Sequence, residues 1–374
     1  MFFHVITTTE CNLQCRYCFG ETMDDFDEDF ADFELDYSLP RKADYDVRYL
    51  DRFCQMDPDC VITFYGGEPL LHKDFLKEAM EQVAAKHFMI QTNGQLLDRL
   101  ESKYINRFHT ILVSIDGEEV LTDNYRGKGT FRKVIDNLKL IIANGFKGEL
   151  IARVTVMEQT DIYRQIRWLL DNPEFPFSSV HWQLNAGFWG NDFARRDFKR
   201  WSEESYIPGV DELARFWVDQ MAEKGKVLRL YPLLGIANSL ITDKEPSLMR
   251  CGGGWVNYAI QTDGYIIPCP TMWGMKKYYL GNIADSDPLK LPKVFVNEPC
   301  TECDIQGVCG GRCLYANITK RWSNEAYAAV CNTVRNLAKS VESQLPRINR
   351  LIREGRINLQ DFDYLKYNGC EIIP

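Results

Sequence analysis

Three cysteines stand within eight residues near the start of the chain, at Cys11, Cys15 and Cys18. Thiolates are the usual ligands of iron–sulfur clusters, and a 4Fe–4S cluster normally takes four of them. Three cysteines therefore predict a cluster with one iron left open for a substrate or cofactor. The alternatives are a zinc site or a loop of reduced thiols, but zinc needs a fourth ligand and His4 is the only imidazole close by in the sequence.

A second, larger group of cysteines occupies the last third of the chain. Its seven members are Cys251, Cys269, Cys300, Cys303, Cys309, Cys313 and Cys331. The other three of the thirteen cysteines, Cys54, Cys60 and Cys370, stand apart and are interpreted as buried thiols. An odd total argues against a complete disulfide framework, and the grouping indicates metal binding.

Strand-length apolar runs alternate with segments of helical period through the first 225 residues. The predicted strands lie at about 2–8, 60–65, 87–92, 109–115, 148–156 and 179–184, and the predicted helices at 44–57, 72–85, 130–144 and 160–171. This alternation predicts an α/β fold with a parallel sheet, open or closed. Cysteines that follow the first strand would then lie at the carboxyl end of the sheet, where α/β barrels hold their active sites.

The composition of the sequence changes past residue 240, where glycine, cysteine and short strand-length runs become frequent. An Asp-Gly turn inside 260–267 predicts a hairpin, and residues 324–357 are predicted to be helical. We therefore divide the chain into an α/β domain at 1–235, a cysteine-rich domain at 236–335 and a helical tail at 336–374.

Charge and hydropathy narrow the class of protein. The net charge is −9, which disfavours a general affinity for nucleic acid or anionic membranes. The apolar runs are shorter than the roughly 18 residues of a membrane helix, and no basic n-region or cleavage site follows Met1. These features predict a cytoplasmic protein.

The spacing C-x3-C-x2-C with Tyr17 before the third cysteine resembles the signature of radical S-adenosylmethionine (SAM) enzymes. The second strand ends in Gly66-Gly67-Glu68-Pro69, which is similar to the GGE motif whose backbone and carboxylate hold the methionine amino group in that superfamily. Glycine suits a close backbone approach, and a carboxylate suits an ammonium. The resemblance implies a partial (β/α)6 barrel, which agrees with the six predicted strands.

The resemblance also implies a set of SAM-binding residues. They are Tyr17, Gly66, Gly67, Glu68, Asn93, Ser114, Asp116 and Arg153. Among them, Ser114 and Arg153 would contact SAM and Asp116 would lie near the ribose. Each of these three is equally open to interpretation as a polar residue at a strand end. No catalytic residue is assigned beyond the cluster.

The seven later cysteines are similar in spacing to the SPASM domain of peptide-modifying radical SAM enzymes. By this resemblance a distal auxiliary 4Fe–4S cluster would be held by Cys300, Cys303, Cys309 and Cys331, and a proximal one by Cys251, Cys269 and Cys313. An eighth cysteine is often present a few residues after the first, where this sequence has Trp255, Asn257 and Tyr258. The proximal cluster would then have an open iron, unless Cys370, Cys54, Cys60 or another ligand fills it.

Two further departures bear on the substrate. In sulfatase-maturing relatives an aspartate follows the cysteine of the G-x4-C element and acts as a base, whereas Pro270 follows Cys269 here. That activity is therefore disfavoured. The first predicted strand starts at residue 2, so leader-peptide recognition would come from a separate binding protein.

The segment from Glu21 to Tyr37 has nine acidic residues and no basic one. It would form a lid or a surface for a basic peptide, or else a solvated loop.

We expect a radical SAM enzyme of the branch found among anaerobes and methanogenic archaea, with SAM and three 4Fe–4S clusters as cofactors. A low-potential donor such as ferredoxin or flavodoxin would reduce it, and a thioether or carbon–carbon cross-link in a peptide or protein would be the product. The alternatives are modification of a small molecule such as a tetrapyrrole, or electron transfer without catalysis.

Overall fold

A computed structural model of the chain describes residues 1–18, 34–187, 192–242, 248–320, 322–370 and 373. Most of the acidic segment predicted from residues 21–37 therefore lies outside the described residues. The strands within the described ranges are β1 (Phe2–Thr8), β2 (Val61–Gly66), β3 (His87–Thr92), β4 (Phe108–Ser114), β5 (Glu149–Val156), β6 (Ser179–Leu184), β7 (Arg229–Leu230), β8 (Asn257–Ile260), β9 (Tyr265–Ile267) and β10 (Gly281–Asn282).

The α-helices follow the strands in the expected alternation. They are α1 (Val47–Gln55), α2 (Lys73–Gln82), α3 (Ser102–Ile105), α4 (Glu119–Arg126), α5 (Thr130–Ala143), α6 (Ile162–Asp171), α7 (Asp192–Arg195), α8 (Phe198–Trp201), α9 (Ile207–Lys224), α10 (Tyr231–Ile241), α11 (Gln306–Cys309), α12 (Leu314–Thr319) and α13 (Asn324–Arg353). Several begin at a side-chain cap, as where Asp161 accepts a hydrogen bond from the backbone N–H of Arg164 at the start of α6.

The strands β1 to β6 are parallel and pair in chain order, which confirms the predicted α/β fold class. Alternate side chains divide between two environments. Phe3 and Val5 of β1 pack in the main core that the helices cover, whereas Met89, Leu112 and Ile151 pack together in a separate cluster inside the sheet's curve. Since the sheet runs from β10 to β7 within the described residues, the barrel is partial.

The cysteine-rich part of the chain continues this sheet. Strand β8 pairs parallel with β1, with Phe2 opposite Asn257, and β9 then turns back antiparallel through the predicted hairpin. Gly264 in that turn has φ +86°, a conformation that favours glycine. The first cysteine-rich strand thus extends the barrel sheet beyond β1.

The C-terminal tail folds back into the barrel at the amino ends of its strands. Cys370 packs with Leu112 and Tyr231, and Asn368 is fully buried. The side-chain amide of Asn368 donates to the Tyr231 hydroxyl at 3.1 Å and accepts from the backbone N–H of Cys370 at 3.2 Å. The Tyr231 hydroxyl in turn donates to Glu149 at the start of β5, at 2.8 Å. The tail therefore closes one end of the barrel interior.

None of the helices in the described ranges is both long and apolar enough to cross a membrane.

Replacing Asn368 with alanine tests the contribution of the tail. The substitution leaves the buried Cys370 N–H without its acceptor, so we expect the free energy of unfolding to fall by roughly 1–3 kcal/mol. The control is Leu359→Ala in the same tail, because Leu359 is 42 % exposed and its truncation should cost less than about 1 kcal/mol. Equal denaturant midpoints for the two variants would contradict this account.

Candidate functional site

The loop after β1, defined here as the cluster loop (residues 9–18), holds the first three cysteines at the carboxyl edge of the sheet. The thiols of Cys11, Cys15 and Cys18 are close enough to interact electrostatically with one another. Burial is the main cause that raises the pKa of Cys15, to about 11, and a bound metal would deprotonate such a thiol. The structure thus brings the three predicted ligands together.

Gly66 and Gly67 let the end of β2 approach the cluster loop. A Cβ on Gly66 would lie 2.1 Å from the carbonyl oxygen of Thr8, and one on Gly67 would lie 2.3 Å from that of Glu10. The backbone N–H of Gly67 donates to the Thr8 carbonyl at 2.8 Å. These glycines are therefore required by a backbone-to-backbone contact that supports the loop, in addition to any contact with SAM.

The carboxylate of Glu68 is fully buried beneath this contact. It accepts hydrogen bonds from the backbone N–H of Asn93 at 2.7 Å, the hydroxyl of Thr92 at 2.8 Å and the backbone N–H of Leu70 at 3.1 Å. Burial raises the pKa of Glu68 to about 7, while the three hydrogen bonds oppose that rise. Glu68 ties β2 to the end of β3, and its proposed contact with the methionine ammonium stays a prediction.

Asn93 reaches from the end of β3 to the cluster loop. Its side-chain nitrogen donates a hydrogen bond to the side-chain oxygen of Asn12 at 2.8 Å and lies 3.8 Å from the Cys11 sulfur. The Asn93 oxygen accepts from the backbone N–H of Gln95 at 3.0 Å, which fixes the orientation of the amide. In this structure Asn93 is thus a neighbour of the first predicted cluster ligand.

A buried network anchors the other side of the cluster loop. Asp116, which is fully buried after β4, accepts from Tyr17 at 2.6 Å and from the guanidinium of Arg126 at 2.8 and 2.9 Å. The backbone N–H of Thr155 also donates to Asp116, at 3.0 Å, and that of Arg16 donates to the last turn of α4, which ends in Arg126. Asp116 is therefore a support of the loop, and its contact with the ribose stays a prediction.

Sequence reasoning missed Arg126. It is 5 % exposed at the end of α4, and its guanidinium lies 5.3 Å from the centre of the Tyr17 ring. The signal that pointed to such a partner was Asp116 at a strand end, because a carboxylate that becomes buried there requires a cationic or hydrogen-bonding partner. No motif points from Asp116 to a residue ten positions later.

Ser114 and Arg153 face each other across β4 and β5. One guanidinium nitrogen of Arg153 donates to the side-chain oxygen of Gln183 at 2.6 Å, and its Nε is buried with no hydrogen-bond partner in the described structure. A partly buried guanidinium with unused donor capacity fits an anionic ligand such as a carboxylate. The roles of Ser114 and Arg153 as SAM contacts stay predictions.

The zinc alternative loses its fourth ligand, because His4 points into the barrel. Its Nδ1 lies 3.0 Å from the Asn257 oxygen, and burial lowers the pKa of His4 to about 4. Among the described residues, no group of three or more Cys, His, Asp or Glu is close enough to hold a single metal ion.

The four cysteines predicted for the distal cluster line one cavity. These are Cys300, Cys303, Cys309 and Cys331. The Cys331 thiol interacts electrostatically with the other three, and burial raises its pKa to about 11. The remaining wall is largely apolar, with Ile305, Val330 and Trp322 among its members. A four-thiol cavity with apolar walls fits a buried 4Fe–4S cluster.

The three cysteines predicted for the proximal cluster share a different packing cluster, beside β8 and β9. Cys251, Cys269 and Cys313 all pack against this group, and Cys313 also lines the distal cavity. Cys54 and Cys60 instead lie in the main core, with their sulfurs 2.8 Å apart. Cys370 packs inside the barrel. The three spare cysteines are buried thiols in other clusters, as the sequence indicated.

Comparison with known proteins assigns the first part of the chain. Residues 5–165 match the model of the Radical SAM superfamily. The chain therefore carries a radical SAM domain, which confirms the resemblance of the cluster loop and the GGE motif.

Relatives extend the similarity over most of the chain. A cysteine-type anaerobic sulfatase-maturating enzyme of Clostridium perfringens is 22% identical over 366 residues, which cover 90% of this chain and 94% of the relative. The structure of native anSMEcpe with bound AdoMet and the Cp18Cys peptide has a TM-score of 0.68 at 18% identity, over 94% of this chain and 99% of that one. SuiB of Streptococcus suis bound to its precursor peptide SuiA has a TM-score of 0.52 at 16% identity, over 86% and 73%. At these identities the structures establish a shared fold.

The buried state of Glu68 predicts a pH dependence of stability. Its ordinary pKa is 4.5 and the folded value is about 7, so the folded protein keeps a proton that the unfolded chain has lost. Stability from this group is complete below pH 4.5 and is lost as the pH rises through 7. Glu68→Gln lacks this component. The free energy of unfolding of the variant, measured relative to that of the parent, should therefore rise by roughly 1 kcal/mol from pH 6 to pH 8.

Denaturant unfolding of the cluster-free protein at the two pH values measures the difference. Glu118→Gln is the control for the replacement itself, because that carboxylate pairs with Arg164 near the surface. A Glu68→Gln difference from the parent that is the same at pH 6 and pH 8 would contradict the assignment.

Proposed function

We propose that this chain is a radical SAM enzyme that modifies a peptide or protein side chain, with one SAM-binding and two auxiliary 4Fe–4S clusters. The observation that carries the proposal is the pair of separate thiol groups. The cluster loop has three cysteines at the carboxyl edge of a parallel sheet, and the distal cavity is lined by five, which are the four predicted distal ligands and Cys313. An electron-transfer protein needs neither a three-cysteine site nor a GGE motif.

The cofactors would supply a 5′-deoxyadenosyl radical from reductively cleaved SAM, which abstracts a hydrogen atom from the substrate. The chain's own residues would bind the first cluster and orient SAM. Cys11, Cys15 and Cys18 would ligate the first cluster, and Tyr17, Gly66, Gly67, Glu68, Asn93, Ser114, Asp116 and Arg153 would surround SAM.

A peptide substrate is supported by the relatives, two of whose structures hold peptides. The absence of an aspartate at Pro270 argues against the same reaction as in the sulfatase-maturing relatives, because proline cannot accept a proton. We propose a cross-link, a thioether or a carbon–carbon bond, as the product. A ferredoxin or flavodoxin would be the electron donor, and a separate protein would present the leader peptide.

The first test removes the cluster loop's ligands. Replacing Cys11, Cys15 and Cys18 together with alanine should abolish 5′-deoxyadenosine formation and lower the iron content from about 12 to about 8 per chain, because the auxiliary ligands lie elsewhere. Anaerobic reconstitution, iron and sulfide analysis and product chromatography give the readouts. Continued SAM cleavage by this variant would refute the assignment, and tightly bound zinc with about 4 iron would refute the two auxiliary clusters.

The second test concerns the three-thiol proximal cluster, whose open iron would bind a substrate thiol and deprotonate it. Addition of a small thiol to the protein with alanine at Cys11, Cys15 and Cys18 should change the electron paramagnetic resonance spectrum of one auxiliary cluster. Alanine at Cys251 should remove the response. Cys370→Ala is the matched control, because Cys370 packs inside the barrel, and it should leave the response intact. A response that is absent while Cys370 is intact and appears in Cys370→Ala would make Cys370 the fourth ligand.

A further inference from the structure

Helix α13 brings one predicted ligand and two of its helical neighbours to the distal cavity. Tyr327, Cys331 and Arg335 are spaced four residues apart, so they lie on one face of the helix and one turn from each other. All three line the cavity. The two neighbours of Cys331 are thus held against the cavity by the same rigid element that holds the predicted ligand.

Tyr327 faces the sulfur of Cys300, 3.3 Å from its hydroxyl oxygen. The orientation of the hydroxyl is set from behind by Asn317, whose side-chain nitrogen lies 3.4 Å from it. Asn317 is itself fixed by the backbone of Asn297, which donates to its oxygen at 2.6 Å and accepts from its nitrogen at 2.9 Å. Since Asn317 donates to Tyr327, the phenolic proton is left for Cys300, and a metal-bound thiolate can only accept.

Arg335 makes the corresponding contact with Cys303. Its Nη2 lies 3.4 Å from the Cys303 sulfur. The guanidinium is oriented by Asp304, which accepts from Nη1 at 2.9 Å and from Nη2 at 2.5 Å. Because Asp304 balances the charge of Arg335, the effect on Cys303 comes mainly from a directed hydrogen bond.

We propose that Tyr327 and Arg335 donate hydrogen bonds to two thiolate ligands of the distal auxiliary cluster and raise its reduction potential. Reduction adds negative charge to the cluster, so donors aimed at its sulfurs stabilise the reduced form more than the oxidised form. This inference rests on the proposed function, since it requires a cluster in the distal cavity.

The experiment is a redox titration, followed by electron paramagnetic resonance, of protein with alanine at Cys11, Cys15 and Cys18, in which only the auxiliary clusters remain. Tyr327→Phe and Arg335→Gln each remove one donor. Each should lower the equilibrium constant for one-electron reduction of one cluster about tenfold, which moves its midpoint about 59 mV lower. The double variant should lower it about a hundredfold, and the second auxiliary midpoint should not move.

The matched control is Arg347→Gln. Arg347 lies three turns further along α13 and pairs with Asp219 at 2.6 Å, away from the cysteines, so its loss should leave both midpoints unchanged. A midpoint is measured on loaded clusters, so a variant that loses part of its iron still gives a result.

Unchanged midpoints in Tyr327→Phe and Arg335→Gln would overturn the inference and leave the cluster assignment standing. An equal shift in Arg347→Gln would overturn it as well. A parent protein without auxiliary iron would instead overturn the proposed function.

Discussion

The backbone contact between the ends of β1 and β2 is the constraint on which the predicted SAM site depends. Because Gly66 and Gly67 have no side chain, their backbone lies directly against Thr8 and Glu10 and fixes the start of the cluster loop. The next residue, Glu68, holds the backbone of Asn93, whose side chain returns to the loop. Three strand ends thus position one another around the three thiols.

How much of this arrangement the sequence predicts depends on whether the information is local. The spacing of Cys11, Cys15 and Cys18 and the GGE tripeptide are local, and each of the first six predicted strands corresponds closely to an observed one. The partner of Asp116 is not local, since only the turn between β4 and α4 brings Arg126 beside it. The role of the glycines was predicted only in part, because the contact with Thr8 and Glu10 depends on how β1 and β2 pair.

The later part of the chain shows the same limit at a larger scale. A change in composition past residue 240 predicts a new domain. In the structure, β8 is hydrogen-bonded to β1, and Asn368 and Cys370 of the tail are buried in the barrel. The need for burial decides this arrangement. An open parallel sheet has unpaired backbone groups along its edge and uncovered side chains at the end of its interior. Periodicity within a segment does not say which edge it will cover.

The number of thiols around the distal cavity bears on which cysteines are left for the proximal site. Five cysteines line that cavity, and a 4Fe–4S cluster takes four. Cys313 packs beside Cys251 and Cys269, as Cys300 also does, and the resemblance to SPASM domains assigns Cys313 to the proximal group. The proximal group then has three thiols, while Cys54, Cys60 and Cys370 are committed to other packing clusters. Within the proposed function, an open iron and a proline in place of a base would both favour a substrate thiol that the cluster deprotonates over a substrate that needs a protein base.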